Sequence, residues 1–319
     1  MIIAYLDILA FTYLLKEKRQ VASDFLCTLY EKIKEKIINK IVIEKNLNKI
    51  EEKKIFFFGT RKSDYVDSFQ YLINFSDSLV IASNNPELFI KQLTNFIGTL
   101  NIIHLKEFIK TIDESTKINN TKIADVKVNG DIEYHEAFPL FLRGGITIGE
   151  DIEFINNSYI NNSSLQGTLN ITGKTYLEAV TLENSGKGPR IFCNKNLINA
   201  ISDKQILNII KQIDDNLYEI VWTIPACEAI ESNIEDKYQN VRDKFEKMLL
   251  PAIHLFKHNK KDKSVREHYE EFVKLVCCGL IKYAKDKCNK EKETLEFIKR
   301  IFEQEKIDIP ININSNFLA

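Results

Sequence analysis

Two short apolar runs each carry a single carboxylate. IIAYLDILAF, residues 2–11, holds Asp7, and INFSDSLVIAS, residues 73–83, holds Asp77. An unpaired carboxylate buried in a strand is costly or is forced to take up a proton. Each acid therefore needs a partner, or the pair serves to hold a cation. Two carboxylates brought to adjacent strand ends form a metal site on simple chemistry, because like charges so close cannot both ionise without one. The alternative, with Asp77 capping a turn and Asp7 bonding a backbone amide, stays open at this level.

Other residues with chemical potential are scattered. Arg143 and Arg190 stand in strand-like segments and are candidates for contact with a phosphate or for pairing with carboxylates across strands. His254 and His258 are four residues apart on a helix but have no acidic or cysteine partner placed to complete a zinc site, so a solvent-facing pair is the reading. His104, His135 and His268 are isolated, and no Ser/His/Asp arrangement is readable. Gly144, Gly145 and Gly149 read as points of close backbone approach or a bend, since no GxxxxGK[ST] motif occurs.

The elements that must position these residues follow from periodicity. Residues 2–10 read as a strand and 20–40 as an amphipathic helix, with Phe25, Leu26, Tyr30, Ile33 and Ile37 on one stripe. Residues 66–76 and 77–83 read as two strands meeting near Ser76-Asp77-Ser78, followed by a helix from Asn85-Pro86 to about Phe108. Segment 111–136 is polar and reads as a flexible insertion. FPLFLRGGITIGE, 138–150, is a strand, NNSYINNSSLQG a polar loop, and LNITGKTYLEAVTLEN a turn and helix. GPRIFC, 188–193, and LYEIVWTI, 217–224, are further strands, and beyond about 230 the pattern is helical (232–258, 265–287, 291–305). The order predicts an α+β fold: a ferredoxin-like or palm βαββαβ core with helices on an antiparallel sheet, over residues 1–225, plus a C-terminal helical region over 226–319. Asp7 and Asp77 then fall on neighbouring strands.

At these residues the chain resembles the class III nucleotidyl cyclases. YLDILAF, with Asp7, Ile8 and Phe11, is similar to their first metal motif, and FSDSLVI stands where their second metal aspartate does. LRGGITIG, GKTYLEAVTLE and GPRI match later blocks of the same domain, in order. The wording is most similar to the pyrimidine cyclases of bacterial Pycsar anti-phage systems, and the resemblance covers roughly residues 1–225.

The resemblance implies conversion of UTP or CTP to the 3′,5′-cyclic monophosphate and pyrophosphate. It implies two Mg²⁺ or Mn²⁺ ions held by Asp7, Asp77 and the backbone carbonyl of Ile8. It also implies a homodimer with two half-sites, and an effector protein that responds to the product. The implied setting is antiviral signalling in a bacterial cytoplasm. Departures from the purine enzymes bear on substrate and mechanism. Where those enzymes hold a transition-state Asn and Arg, this chain has Leu177 and Thr181, so the cation must come from Arg143, Lys174, Arg190 or a second subunit. Where they hold a base-reading Lys and Asp, it has Ile73 and Asn170, and an amide can both donate to and accept from a pyrimidine edge. Phe69 and Tyr71 are candidates to stack on a base or to pack in the core. A degenerate cyclase fold that binds nucleotide and regulates without turnover is the alternative. Another palm-fold nucleotidyl transferase is a third reading, opposed by the lack of a GGDEF-like hairpin.

Composition narrows the setting. The 319-residue chain is 44% hydrophobic and 28% charged with a net charge of −1, which argues against nucleic acid or an anionic membrane as the main partner. Six scattered cysteines without a CxxC pair read as reduced thiols. No run is long and uncharged enough for a membrane span, and Asp7 interrupts the first apolar run.

Overall fold

Alternation along the first strand sets up two apolar layers. In β1 (Ile2–Ile8), Ile2, Ala4, Leu6 and Ile8 face the larger core, while Ile3, Tyr5 and Asp7 face the other side. The computed structural model describes residues 1–9, 11, 15, 16, 23, 66–98, 100, 101, 122–126, 132–136, 141–161, 164–230, 237–258, 263–310, 317 and 318. Of the expected helix over 20–40, all but Ser23 lies outside these residues, as does the lysine-rich stretch that follows.

β1 is central in a seven-stranded sheet. It lies between β3 (Ser78–Ser83) and β6 (Leu142–Ile148), antiparallel to both, and β2 (Tyr71–Phe75) forms the edge beyond β3. The order β6-β1-β3-β2 is the one the βαββαβ reading requires. A helix, α1 over 86–98, follows β3; Pro86 opens it and the Asn85 side chain accepts the Leu88 amide at 3.2 Å.

On the other side of β6 the sheet continues through β9 (Ile191–Asn194), β11 (Leu217–Ile220) and β10 (Ile210–Gln212). The β6–β9 pair is parallel, which corrects the expected antiparallel sheet to a mixed one. A parallel neighbour needs a long crossover, and the chain supplies it with a hairpin and a helix. The hairpin is β7 (Glu153–Asn161) paired with β8 (Ser164–Thr172), and the helix is α2 (Lys174–Glu183).

The hairpin corrects a second expectation. NNSYINNSSLQG is not a loop; it supplies paired strands, because a two-stranded ladder satisfies its own backbone and needs apolar side chains only where its base, Phe154, Leu169 and Ile171, packs on the sheet. The supposed flexible insertion likewise contains a strand pair, β4 (Lys122–Val126) with β5 (Ile132–Glu136). LYEIVWTI ends its strand at Ile220 and turns into α5 (Thr223–Ile230). Two short helices, α3 (Lys195–Asn199) and α4 (Lys204–Leu207), and strand β10 carried no clear periodic signal.

The C-terminal helices are α6 (Lys237–His258), α7 (Lys263–Tyr283), continued by a π-helical turn at Ala284–Cys288, and α8 (Glu291–Glu305). They share the larger core with the sheet: Phe141 meets Phe272 at 4.6 Å, and Trp222, 1% exposed, packs near the same ring while its indole N–H donates to the Pro189 carbonyl at 2.8 Å. α2 covers the opposite face with the β7–β8 base, giving three layers. No helix among the described residues is long and apolar enough to cross a membrane.

Gly145 on β6 is where α2 and the sheet touch. A Cβ there would overlap the carbonyl oxygen of Ala179 and lie 2.6 Å from the Glu183 amide nitrogen, so the backbones can approach only over a glycine. Gly145→Val is expected to cost about 3 kcal/mol or more in chemical denaturation. Gly149→Ala, which meets only the Thr175 side chain, should cost less. Equal losses would refute the close-packing account.

Candidate functional site

The hairpin turn and the end of β1 bring the two aspartates together. Asp7 is the penultimate residue of β1 and pairs in register with Ser78, the first residue of β3. Asp77 sits in the two-residue turn before it, beside Ser76, whose φ of 56° is left-handed. The Ile8 amide donates to the Asp77 carbonyl oxygen at 3.1 Å, which ties the turn to the end of β1. Asp77 thus lies at a turn and not inside a strand, and both acids are half-buried at one end of the sheet.

A continuous polar chain runs through Asp7. The Ser78 hydroxyl donates to Asp7 Oδ1 at 3.0 Å, so the Tyr5 hydroxyl, 2.7 Å from Ser78 Oγ, donates to that serine in turn. Arg143, the cross-strand partner of Asp7 on β6, donates from Nη2 to Asp7 Oδ2 at 3.3 Å. Its Nε lies 2.5 Å from Glu183 Oε1, on a glutamate only 3% exposed at the end of α2. Two carboxylates, Asp7 and Glu183, therefore flank one guanidinium, and the charge of Asp77 reaches Asp7 from the turn.

Burial lifts the Asp7 carboxyl above the ordinary aspartate range; Arg143 opposes this, and the charge of Asp77 adds to it. Burial likewise lifts Glu183, again against the pull of Arg143. Glu183 stood in the sequence motif GKTYLEAVTLE without being singled out; its helical spacing of four from Ala179, which packs on the sheet, was the available signal.

α7 reaches the back of this site. His268 Nδ1 accepts the Gly188 amide at 2.9 Å, and burial, with the charges of Arg143 and Lys187, holds its imidazole down at about 4. It is therefore neutral at physiological pH.

The remaining candidates fall in several places. Arg190 donates from Nε and Nη2 to both oxygens of Glu219 at 2.6 Å, and from Nη1 to Glu271 of α7 at 3.0 Å. Its carbonyl accepts the Gly144 amide at 3.0 Å. Lys174 is exposed at the start of α2, 3.9 Å from Glu178. Leu177 is 63% exposed, and the Thr181 hydroxyl is bonded to the Leu177 carbonyl at 2.8 Å. Ile73 is 6% exposed in the smaller core beside Ile3 and Val80. Asn170 is exposed on β8 opposite Ile155.

Phe11 is 2% exposed in the larger core, with Ile8. Phe69 packs edge-on against Phe89 and Phe96, and Tyr71 stacks on Phe154 at 3.9 Å. His254 is half-buried on α6, and the His258 side chain lies outside the described residues. Cys193, Cys227, Cys277, Cys278 and Cys288 are free thiols.

Among the described residues no group of three or more His, Cys, Asp or Glu side chains is placed to hold a metal by itself. Asp7 and Asp77 offer only oxygen donors at this end of the sheet. That set fits a hard divalent ion whose remaining ligands come from a substrate.

No protein-family model matches the chain, and no curated protein matches it. Among solved structures it is similar to an adenylate cyclase of Trypanosoma brucei in its monomeric state, at 12% identity and a TM-score of 0.37, covering 69% of this chain and 89% of that one. It is also similar to the adenylyl cyclase CyaB of P. aeruginosa, at 15% identity and a TM-score of 0.32, covering 69% and 92%. Likeness at this level decides neither activity nor substrate, which must be argued from the residues.

Because the native state holds the Asp7 proton more tightly than the unfolded chain does, stability from this group is full at acid pH and is lost as pH rises through its raised value. Asp7→Asn should therefore raise the melting temperature at pH 7 by a few degrees, with the gain shrinking towards about pH 4. Calorimetry of both proteins across that range checks this. A variant less stable at pH 7 than at pH 4, relative to wild type, would show that the Arg143 contact outweighs burial.

Proposed function

We propose that this chain is a pyrimidine nucleotide cyclase that converts UTP or CTP to the 3′,5′-cyclic monophosphate with release of pyrophosphate. The observation that carries the reading is the convergence of Asp7 and Asp77 at one end of adjacent elements, with Arg143 touching Asp7. The ordered motifs of the class III resemblance add to it.

Asp7, Asp77 and the Ile8 carbonyl would hold Mg²⁺ or Mn²⁺. When bound, such ions neutralise the triphosphate and favour the ribose 3′-alkoxide. The bond from O3′ to the α-phosphorus forms as the bond from that phosphorus to the bridging oxygen of pyrophosphate breaks, and the 3′ proton leaves to solvent or to a phosphate oxygen. Arg143 is the cation best placed to swing from Asp7 to the phosphates, held at its other end by Glu183. Arg190, with every nitrogen committed to Glu219 or Glu271, is assigned a structural role in this reading. Lys174, exposed on α2, is a secondary phosphate contact.

Ile73 offers no polar group to a base, and Asn170 is left to read one through its amide. Phe11 supports the end of β1 from the core. Exposed apolar residues Phe75, beside the Asp77 turn, and Leu177, on α2, suit a homodimer contact that would bring the missing transition-state groups from a second subunit. The product would act on a cyclic-nucleotide-responsive effector in anti-phage defence.

Incubation of the pure protein with each of the four NTPs and Mn²⁺, followed by product identification, tests the reading. The expected product is cyclic CMP or cyclic UMP. A cyclic purine would overturn the base assignment, and nucleotide binding without any product would favour the non-catalytic regulator. Asp77→Ala should abolish turnover with the fold intact. Arg143→Ala should lower kcat by about 100-fold or more. Arg190→Met should instead act on stability, by leaving the buried Glu219 unpaired.

A further inference from the structure

A second polar site lies away from the aspartates, where the far edge of the sheet meets α7. A cavity of about 400 Å³ is lined by Arg190, Lys211, Glu219, Glu271, Lys274 and Cys278, with Leu275 and Pro310 as its apolar walls. The residues come from elements distant in sequence. Arg190 precedes β9, Lys211 and Glu219 are cross-strand partners on β10 and β11, and Glu271, Lys274 and Cys278 repeat along one face of α7. Next to Lys211, Phe317 forms a bridge with it, the Leu318 amide donates to the Ile210 carbonyl at 3.1 Å, and Lys282 lies 4.7 Å over the Phe317 ring.

One charge in this cavity lacks a partner. Arg190 is satisfied by Glu219 and Glu271, and Lys274 lies 2.8 Å from Glu270 and from Glu271. Lys211 has no carboxylate within ion-pair distance among the described residues. Arg190 and Lys274 are thus each held by carboxylates, and Lys211 is the lining cation left without one. Cys278 adds no charge, since burial pushes its thiol up to about 11.

We propose that this cavity is a feedback site for a 3′,5′-cyclic mononucleotide, an inference that rests on the cyclase reading above. A cyclic phosphodiester is a monoanion, which suits the ammonium of Lys211, the one lining cation that no carboxylate pairs among the described residues. Its ribose hydroxyl and exocyclic amino or imide N–H groups are donors that the Glu219 and Glu271 carboxylates accept, and its base has an apolar face for Leu275 and Pro310. A cavity of this size holds a ligand of that class. A nucleoside triphosphate is discriminated against, because its several negative charges would meet two carboxylates in the lining. The site is also joined to the Asp7 centre by one backbone step: the Arg190 carbonyl accepts the Gly144 amide, and Gly144 follows Arg143 on β6.

The test is isothermal titration calorimetry of the full chain with cyclic CMP and cyclic UMP in excess EDTA, so that no divalent ion supports binding at the aspartates. One of the two is expected to bind one equivalent per chain. Lys211→Met, which removes the spare charge without adding a repulsive one, should weaken that binding at least about ten-fold with an unchanged melting temperature. Asp77→Ala should bind as wild type does.

Binding lost in Asp77→Ala but kept in Lys211→Met would place the ligand at the aspartates and overturn the proposal. Inorganic phosphate binding as tightly as the cyclic nucleotide would reduce the cavity to a general anion patch and would also overturn it. Absent turnover with Lys211-dependent binding retained would sink the catalytic reading alone. Turnover without such binding would sink this one alone.

Discussion

One guanidinium holds the centre of this molecule together. Arg143 rises from β6, reaches across to Asp7 on β1 and back to Glu183 on α2, and so ties two strands and a helix through a single side chain. Its partners are buried enough that burial raises both carboxyls, and removing the arginine would leave two acids facing one another. The close approach of α2 over Gly145 and the placement of the Asp77 turn beside Asp7 both bear on this contact. The site is electrostatically underfilled, with three acids and one base, and that imbalance gives a divalent cation a reason to be there.

A second arginine repeats the device on the parallel neighbour. Arg190, just before β9, binds Glu219 through a two-pronged contact and Glu271 of α7 through a third nitrogen, with its guanidinium 4.8 Å over the Phe192 ring. The two arginines differ in what they leave open. Arg190 is saturated and fastens the C-terminal helices to the sheet. Arg143 keeps one loose contact, the 3.3 Å bond to Asp7, and only such a contact can be exchanged for a substrate oxygen. His268 on α7, neutral and bonded to the Gly188 amide, sits between these two systems.

Much of the core was legible because period-two alternation is strong where one face is fully buried. The first strand, the hairpin around Asp77, the Pro86 helix and α2 followed from apolar spacing and from turn and cap residues, and the meeting of Asp7 with Asp77 followed from the strand order. The β7–β8 hairpin was not legible, since its polar residues form a ladder held by backbone bonds that leave no apolar period. The parallel β6–β9 pairing was hidden for a related reason: strand direction is set by the crossover, and half of that crossover, the β7–β8 hairpin, reads as a polar loop. Glu183 was missed because a glutamate ending an amphipathic helix looks like a solvated one until the arginine beneath it is located. Neither Ile73 nor Asn170 announces a role through its own surroundings; their interest comes from the resemblance alone.

The shared core has a consequence for how the chain is made. β1 precedes both of its sheet neighbours in the chain, yet it lies mid-sheet, and the apolar cluster that covers its Ile2, Ala4, Leu6 and Ile8 face extends through α7 and α8 as far as Ile309. The emerging chain must carry an unshielded central strand until its β3 and β6 neighbours arrive, and the cluster closes only once α7 and α8 have followed. Folding is therefore governed by long-range contacts, a topology in which nascent strands stay exposed to misassociation until distant partners arrive. The lone carboxylate of Asp7 suits such a strand as a gatekeeper, since a charge in an apolar run opposes its pairing with another copy while it waits.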